Sequence, residues 1–157
     1  MAAMEARQNL SIYHLVRFPE GYSPEGSQAA YPAILALHGH GSNERDLIGL
    51  AEAIPENLLW ISGRGPVRFA PDGYDWYPVT QFGKPDPALL DEALDRLNGF
   101  ITEILSVYPI DPDRLFLMGF SQGSMDFYGL PVEISTAHPG RDCSIRVSSC
   151  GKHFAHG

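Results

Sequence analysis

Cysteine is nearly absent: Cys143 and Cys150 are the only two in 157 residues, so a disulfide framework does not organise the fold. Apolar runs are short, and none approaches the roughly 20 residues that cross a bilayer. The opening MAAMEARQNL has neither the basic segment nor the apolar run of a signal peptide, and the expected location is cytoplasmic. Bases are outnumbered, 11 Lys and Arg against 19 Asp and Glu, and the net charge of −8 argues against nucleic acid or an anionic membrane as partner. No internal repeat and no low-complexity run occurs.

What is present is ordinary globular material, 44% hydrophobic and 19% charged, enough for one domain with a core and too little for two. Composition shifts only at about residue 125. Residues 125–157 hold both cysteines, His138, His153 and His156, and equal numbers of acids and bases, so the net negative charge falls on residues 1–124. The expected organisation is a domain portion over 1–124 followed by an atypical tail over 125–157.

Within 1–124, strand and helix patterns alternate. Ser11–Phe18 reads as a loosely alternating strand, followed by a Gly/Ser/Pro-rich loop to Ala30. Ala33–Leu37 and Leu58–Ile61 are short continuous apolar runs, the pattern of strands buried on both faces. Ser42 or Asn43 is placed to cap a helix carrying Leu47, Leu50, Ala51 and Ile54 and stopping at Pro55. The clearest helix spans about Asp86 to Tyr108, with Leu90, Leu94, Leu97, Ile101, Ile104 and Tyr108 at three- and four-residue intervals. Asp111-Pro112 breaks the chain before a last strand, Arg114–Met118. Such alternation predicts an α/β fold, a mostly parallel sheet with helices on both faces.

Directly after that last strand stands Gly119-Phe120-Ser121-Gln122-Gly123, a G-x-S-x-G pattern. The spacing has a mechanical reason: a serine held on a sharp strand-to-helix turn needs flanking residues without side chains, because strand and helix cross closely there. Ser121 is the candidate nucleophile, and the N–H of Gln122 points at the oxyanion that develops on attack. A second donor belongs to the loop after an earlier central strand. His38-Gly39-His40-Gly41 lies there, and the N–H of His40 is the candidate. The His40 imidazole is expected to face solvent or line the pocket rather than act as a base. His38 is expected to be a structural residue bonded beneath the loop, and His14 an ordinary strand residue.

LALHGHGSNERDLIGLAEAIP, ISGRGPVRFAPDGYDWYPV and DRLFLMGFSQGSM, in this order, resemble the carboxylesterase/phospholipase family of α/β-hydrolases, which includes acyl-protein thioesterases. The likeness covers about residues 9–124. It implies hydrolysis of carboxylic esters, short acyl esters among them, or of thioesters through an acyl-serine, with a small-molecule ester as partner and no cofactor. The family's nucleophile maps onto Ser121 and its oxyanion donors onto His40 and Gln122. Tyr74–Tyr77 maps near the acyl site, and reads equally well as a packed surface loop.

In that family the catalytic acid and histidine follow the serine on loops after later strands, and residues 122–157 are too few for those units. Neither residue is carried over. The tail offers Asp142, His153 and His156 in the usual hydrolase order, but order alone does not make a triad. Cys143, Cys150, His153 and His156 follow a C-x6-C-x2-H-x2-H spacing that matches no standard zinc set, and no metal is expected. Codons permitted for Gly140–Ser149, read one nucleotide later, can spell GVTALSGYLP, which resembles the family's segment at that distance beyond the nucleophile. A frameshift near residues 124–139 is the expected origin of the tail, and the fold is expected to lack its C-terminal strands. The strand ending at Ser121 would then be an exposed sheet edge, favouring a homo-oligomer, with Ser144–Ser148 as a strand able to cover it. The rival expectation is an inert hydrolase fragment that acts only as an oligomerising or binding module.

Overall fold

The computed structural model describes residues 4–25, 29–81 and 84–123, together with the backbone of 136–138 and 141–143. Five strands form the main sheet: β1 (Met4–Arg7), β2 (His14–Arg17), β3 (Tyr31–Leu37), β4 (Leu59–Gly63) and β7 (Ile110–Gly119), in the order β1-β2-β4-β3-β7. β3 runs parallel to both β4 and β7, while β1–β2 and β2–β4 are antiparallel. The α/β expectation therefore holds with a mixed sheet, parallel in the part that carries the motifs. A β-hairpin of β5 (Val67–Ala70) and β6 (Gly73–Asp75) stands apart from it, and β8 (Thr136–His138) pairs with β9 (Arg141–Cys143).

The two-residue period of the strands sorts side chains onto two faces. Ala33, Leu35 and Leu37 of β3, Leu59 and Ile61 of β4, and Leu115 and Leu117 of β7 share one face. Helix α2 (Pro87–Val107) covers it with Ala93, Leu94, Leu97, Phe100, Ile101 and Ile104. Leu94, Leu97, Ile101 and Ile104 of the sequence stripe are buried, with Tyr108 just past the helix end; Leu90 is only partly buried, and Ala93 and Phe100 complete the face. Asp86, where the helix was expected to begin, caps α2, accepting the N–H groups of Ala88 and Leu89, with Pro87 at the position where a missing N–H costs nothing. Trp60 and Ala36 face the opposite side, where Ala51 of α1 (Ile48–Glu52) packs. Arg17 donates to the Ala51 carbonyl and ties β2 to this helix.

Several elements depart from the sequence expectation. The first strand shortens from Ser11–Phe18 to His14–Arg17, and Met4–Arg7 adds an edge strand that propensity gave no reason to expect. His14 is no ordinary strand residue: it is fully buried, donating from Nδ1 to the Ile12 carbonyl at 2.8 Å and accepting the Tyr108 hydroxyl on Nε2 at 2.6 Å. Neither Ser42 nor Asn43 caps α1, whose start at Leu47 has no side-chain cap. Ser42 instead bridges to Tyr74, and Asn43 turns inward on the loop, accepting Arg45 N–H and donating to the Asp72 carbonyl. Asp111-Pro112 lies inside the span of β7 rather than before it. The register still jumps there, since Tyr31 faces Ile110 and Ala33 already faces Leu115. Asp111 through Arg114 bulge out, closed by an Arg114–Asp111 ion pair at 2.6 Å.

Candidate active site

Parallel pairing of β3 and β7 sets Leu37 opposite Gly119, so both strands end at the same height and the loops that follow them meet. Phe120 N–H bonds the Leu37 carbonyl at 3.1 Å and extends this pairing by one residue. Ser121 then takes φ = 51°, the only positive φ of a non-glycine among the described residues. A side-chain-bearing residue in that region costs on the order of 1–3 kcal/mol and persists only where its surroundings enforce it. The enforcing contact is visible next door. A methyl group at Gly123 would lie 2.4 Å from the Leu37 oxygen and 2.7 Å from that of His38, so the chain can turn helical at Gln122 only with glycine at 123.

The His38–Gly41 loop faces this turn. A Cβ at Gly39 would stand 3.3 Å from the Ser121 Cβ and 3.2 Å from Phe120 Cδ1. The structure thus brings together the sequence-predicted Ser121, the backbone on either side of His40, and Gln122. His38 is structural, as expected: Gly65 N–H donates to its Nε2 at 2.9 Å, which puts the ring proton on Nδ1, donated to the Gly39 carbonyl at 2.8 Å. Burial pushes its pKa below the usual 6.5, against the pull of the Gly39 carbonyl and of nearby carboxylates.

The His40 imidazole is about a quarter exposed and has a partner that residue order did not show. It is not simply turned to solvent; its Nδ1 donates to Asp75 Oδ1 at 2.8 Å, and its ring meets Phe69 edge-on at 4.5 Å. The same Asp75 oxygen accepts Gly41 N–H at 2.7 Å. Gln122 also has a second role, since its side chain is buried, accepting Trp76 N–H and donating to the Tyr77 carbonyl, both at 2.9 Å. Trp76 and Tyr77 are buried, 3% exposed each, and pack with the main core cluster, so this segment is firmly packed. Phe69 and Phe120, 61% and 63% exposed, flank the loop from two sides.

A buried ion pair braces the rest of the loop. Arg64 grips Glu44 through two bonds of 2.7 Å, Nε to Oε2 and Nη2 to Oε1, with its guanidinium 4.0 Å over Tyr13 and 4.5 Å over Tyr74. Burial alone would raise the Glu44 carboxyl, but its hydrogen bonds and the Arg64 charge outweigh that and hold it below the usual carboxylate range. Ser62 Oγ fixes the Glu44 carbonyl at 2.6 Å. Sequence reasoning missed Asp75, Glu44 and Arg64 because their partners are 20 to 35 positions away, and the only local signal was an acid within an aromatic cluster. Asp142, Cys143, Cys150, His153 and His156, with Ser144–Ser148, lie outside the described side chains. Among the described residues no metal-ligating cluster occurs, and no helix is long and apolar enough to cross a membrane.

A parallel β4–β3–β7 core with a serine strained at the strand-to-helix turn defines the α/β-hydrolase fold. Within it, the chain belongs to the phospholipase/carboxylesterase family, whose model matches residues 24–128. A carboxylesterase from Mesorhizobium loti shares the fold at a TM-score of 0.66 and 19% identity, over 87% of this chain and 60% of its own. The Bacillus cereus carboxylesterase aligns at a TM-score of 0.63 and 27% identity, over 75% of this chain and 52% of its own. The inferred esterase NocK of Nocardia uniformis subsp. tsuyamanensis is 26% identical over 122 residues, 74% of this chain and 30% of NocK. The chain therefore spans less than two thirds of each relative.

Proposed function

We propose that Ser121 is the nucleophile of a serine hydrolase that cleaves carboxylic esters or thioesters through an acyl-serine. The observation that carries this reading is the strained Ser121, with φ = 51°, lying against the glycine loop at Gly39. In the reaction, Ser121 Oγ attacks the acyl carbon and the carbonyl oxygen becomes an oxyanion. The N–H groups of His40 and Gln122 receive it; Gln122 opens a helical turn, where N–H groups have no carbonyl four residues back to bond. Collapse breaks the bond to the leaving group, which departs as the alcohol or thiol with the proton given up by the Ser121 hydroxyl. Water then attacks the acyl-serine, its oxygen going to the released acid and a proton returning to Ser121 Oγ. The exposed rings of Phe69 and Phe120 beside the loop favour an apolar acyl or aryl portion.

The test is hydrolysis of p-nitrophenyl acetate and butyrate, with fluorophosphonate labelling read by mass spectrometry, for the unmodified protein and for Ser121→Ala, His153→Ala and His156→Ala. Loss of activity and label in Ser121→Ala supports the reading, and loss in one histidine variant identifies the base. Equal rates in all four proteins and the buffer blank overturn it.

One observation favours a second reading, a catalytically inert module that acts by association. Among the described residues β7 pairs only with β3, at the end of the sheet, and Phe116 on it is 40% exposed. An unpaired apolar edge recruits other strands. Light scattering separates the two readings: a concentration-dependent oligomer without Ser121 labelling favours the module.

A further inference from the structure

Three consecutive residues outside the His38–Gly41 loop and the Gly119–Gly123 elbow together touch both. Asp75, 2% exposed, takes the His40 imidazole N–H and the Gly41 amide on a single oxygen, at 2.8 and 2.7 Å. Trp76 gives its amide N–H to Gln122 Oε1 and its indole N–H to the His38 carbonyl, each at 2.9 Å. Tyr77 offers its carbonyl to Gln122 Nε2 at 2.9 Å. The β3 loop and the β7 elbow are therefore joined to one another through a segment that belongs to neither.

An oxyanion hole needs two N–H groups converging on one point, with a tolerance of about 0.5 Å. Strand pairing does not supply that here. β3 and β7 end at Leu37 and Gly119, and His40 lies three residues beyond, between two glycines. The Gly39 carbonyl accepts His38 Nδ1–H at 2.8 Å and Ser42 N–H at 3.2 Å, which hold one side of the peptide that carries the His40 N–H. Asp75 adds the hold on the other side, taking His40 through its side chain and Gly41 through its backbone. The bonds are charge-assisted, with the Asp75 carboxylate buried and His40 partly so, the kind that fixes geometry. On the other side, Gln122 is held at both ends of its amide, so its own N–H inherits the same frame.

We propose that Asp75-Trp76-Tyr77 is the positioning element of the oxyanion hole, with Asp75 as the anchor that sets the His40 N–H relative to the Gln122 N–H. This rests on the reading of Ser121 as nucleophile. Asp75 touches no reacting atom; it acts through the loop. It stabilises the transition state, in which the oxygen carries charge, and leaves binding of the uncharged ester nearly unchanged.

The experiment compares the unmodified protein with Asp75→Asn and Trp76→Phe in p-nitrophenyl butyrate hydrolysis and in inhibition by an alkyl trifluoromethyl ketone, which forms a charged tetrahedral adduct. Asp75→Asn is expected to lower kcat by roughly 10- to 100-fold, approaching the loss of one oxyanion donor. KM should stay within about twofold, and the ketone should weaken by the same factor as kcat. Trp76→Phe, which removes only the indole donor to His38, is expected to lower kcat and ketone affinity together by a smaller factor. It carries the test if Asp75→Asn does not fold. Unchanged ketone affinity in the folded variants, or a loss confined to KM, overturns the proposal. Fluorophosphonate labelling separates the two levels. If Ser121 of the unmodified protein is labelled while the variants behave as it does, the positioning role alone falls. If Ser121 takes no label, the nucleophile reading falls and the positioning role with it.

Discussion

Gly123 sits so close to the end of β3 that a methyl group there would overlap the Leu37 carbonyl oxygen, at 2.4 Å. The elbow is thus wedged against the strand it must not touch with a side chain. Gly123→Ala is expected to destabilise the fold by about 1–3 kcal/mol, the usual cost of overpacking a filled site. Chemical denaturation of both proteins checks it. An unchanged midpoint would mean that the elbow has room to move.

The positive φ of Ser121 predicts an opposite effect two positions earlier in the turn. Glycine adopts that conformation without penalty, so Ser121→Gly should raise stability by about 1 kcal/mol while abolishing fluorophosphonate labelling. Ser121→Ala, which keeps the strain, should lose the label with little gain in stability. Melting curves of the three proteins decide the matter.

Gln122 links backbone groups of Trp76 and Tyr77 that are otherwise buried. Gln122→Leu leaves a donor and an acceptor unpaired, at about 1–3 kcal/mol each. Its own backbone N–H survives the change. The expected outcome is a fall in the denaturation midpoint that exceeds that of an exposed control such as Glu92→Ala.

Stability should fall with acid in two windows. His14 and His38 are buried, and burial sets both below their usual 6.5. The unfolded chain therefore binds protons first, so stability is complete above about pH 6.5 and declines as pH falls below it. Protonating His38 also removes the acceptor for Gly65 N–H. Glu44 is held below its usual 4.5, so its contribution is present above that value and is lost as pH falls through its folded-state pKa. Denaturant midpoints between pH 8 and pH 3 should show both declines. Glu44→Gln should flatten the lower one, and His38→Gln the upper.

The buried Glu44–Arg64 pair makes a further asymmetric prediction. Arg64→Met leaves Glu44, 1% exposed in its side chain, as an unpaired carboxylate, whereas Glu44→Gln leaves Arg64 with a quarter of its side chain in water. Arg64→Met should cost roughly 3–5 kcal/mol and Glu44→Gln clearly less. Equal costs in denaturant titrations would show that Glu44 reaches solvent.

Some of this was legible in residue order because the cause is local. Helix α2 follows from its 3–4 spacing, the parallel strands from continuous apolar runs, and the elbow from two glycines about a serine behind a strand. The errors were also local inferences. Ser42 and Asn43 have cap chemistry, but Ser42 pairs with Tyr74 through its backbone carbonyl, and Asn43 spends its Oδ1 on Arg45 N–H, before α1 begins after Leu47. Met4–Arg7 becomes a strand because β2 offers it an edge, which no propensity records.

The sequence by itself therefore determined the α/β alternation, the strained serine and the two glycine-bearing loops that surround it, since each depends on neighbours within a few residues. The tertiary structure alone decided what holds those loops in register. Asp75, Trp76 and Tyr77 reach both His40 and Gln122 only after β3 and β7 pair in parallel and end at one height. Hydrogen bonds act over about 3 Å of space whatever the separation along the chain. Their partners are set by packing and cannot be read from spacing.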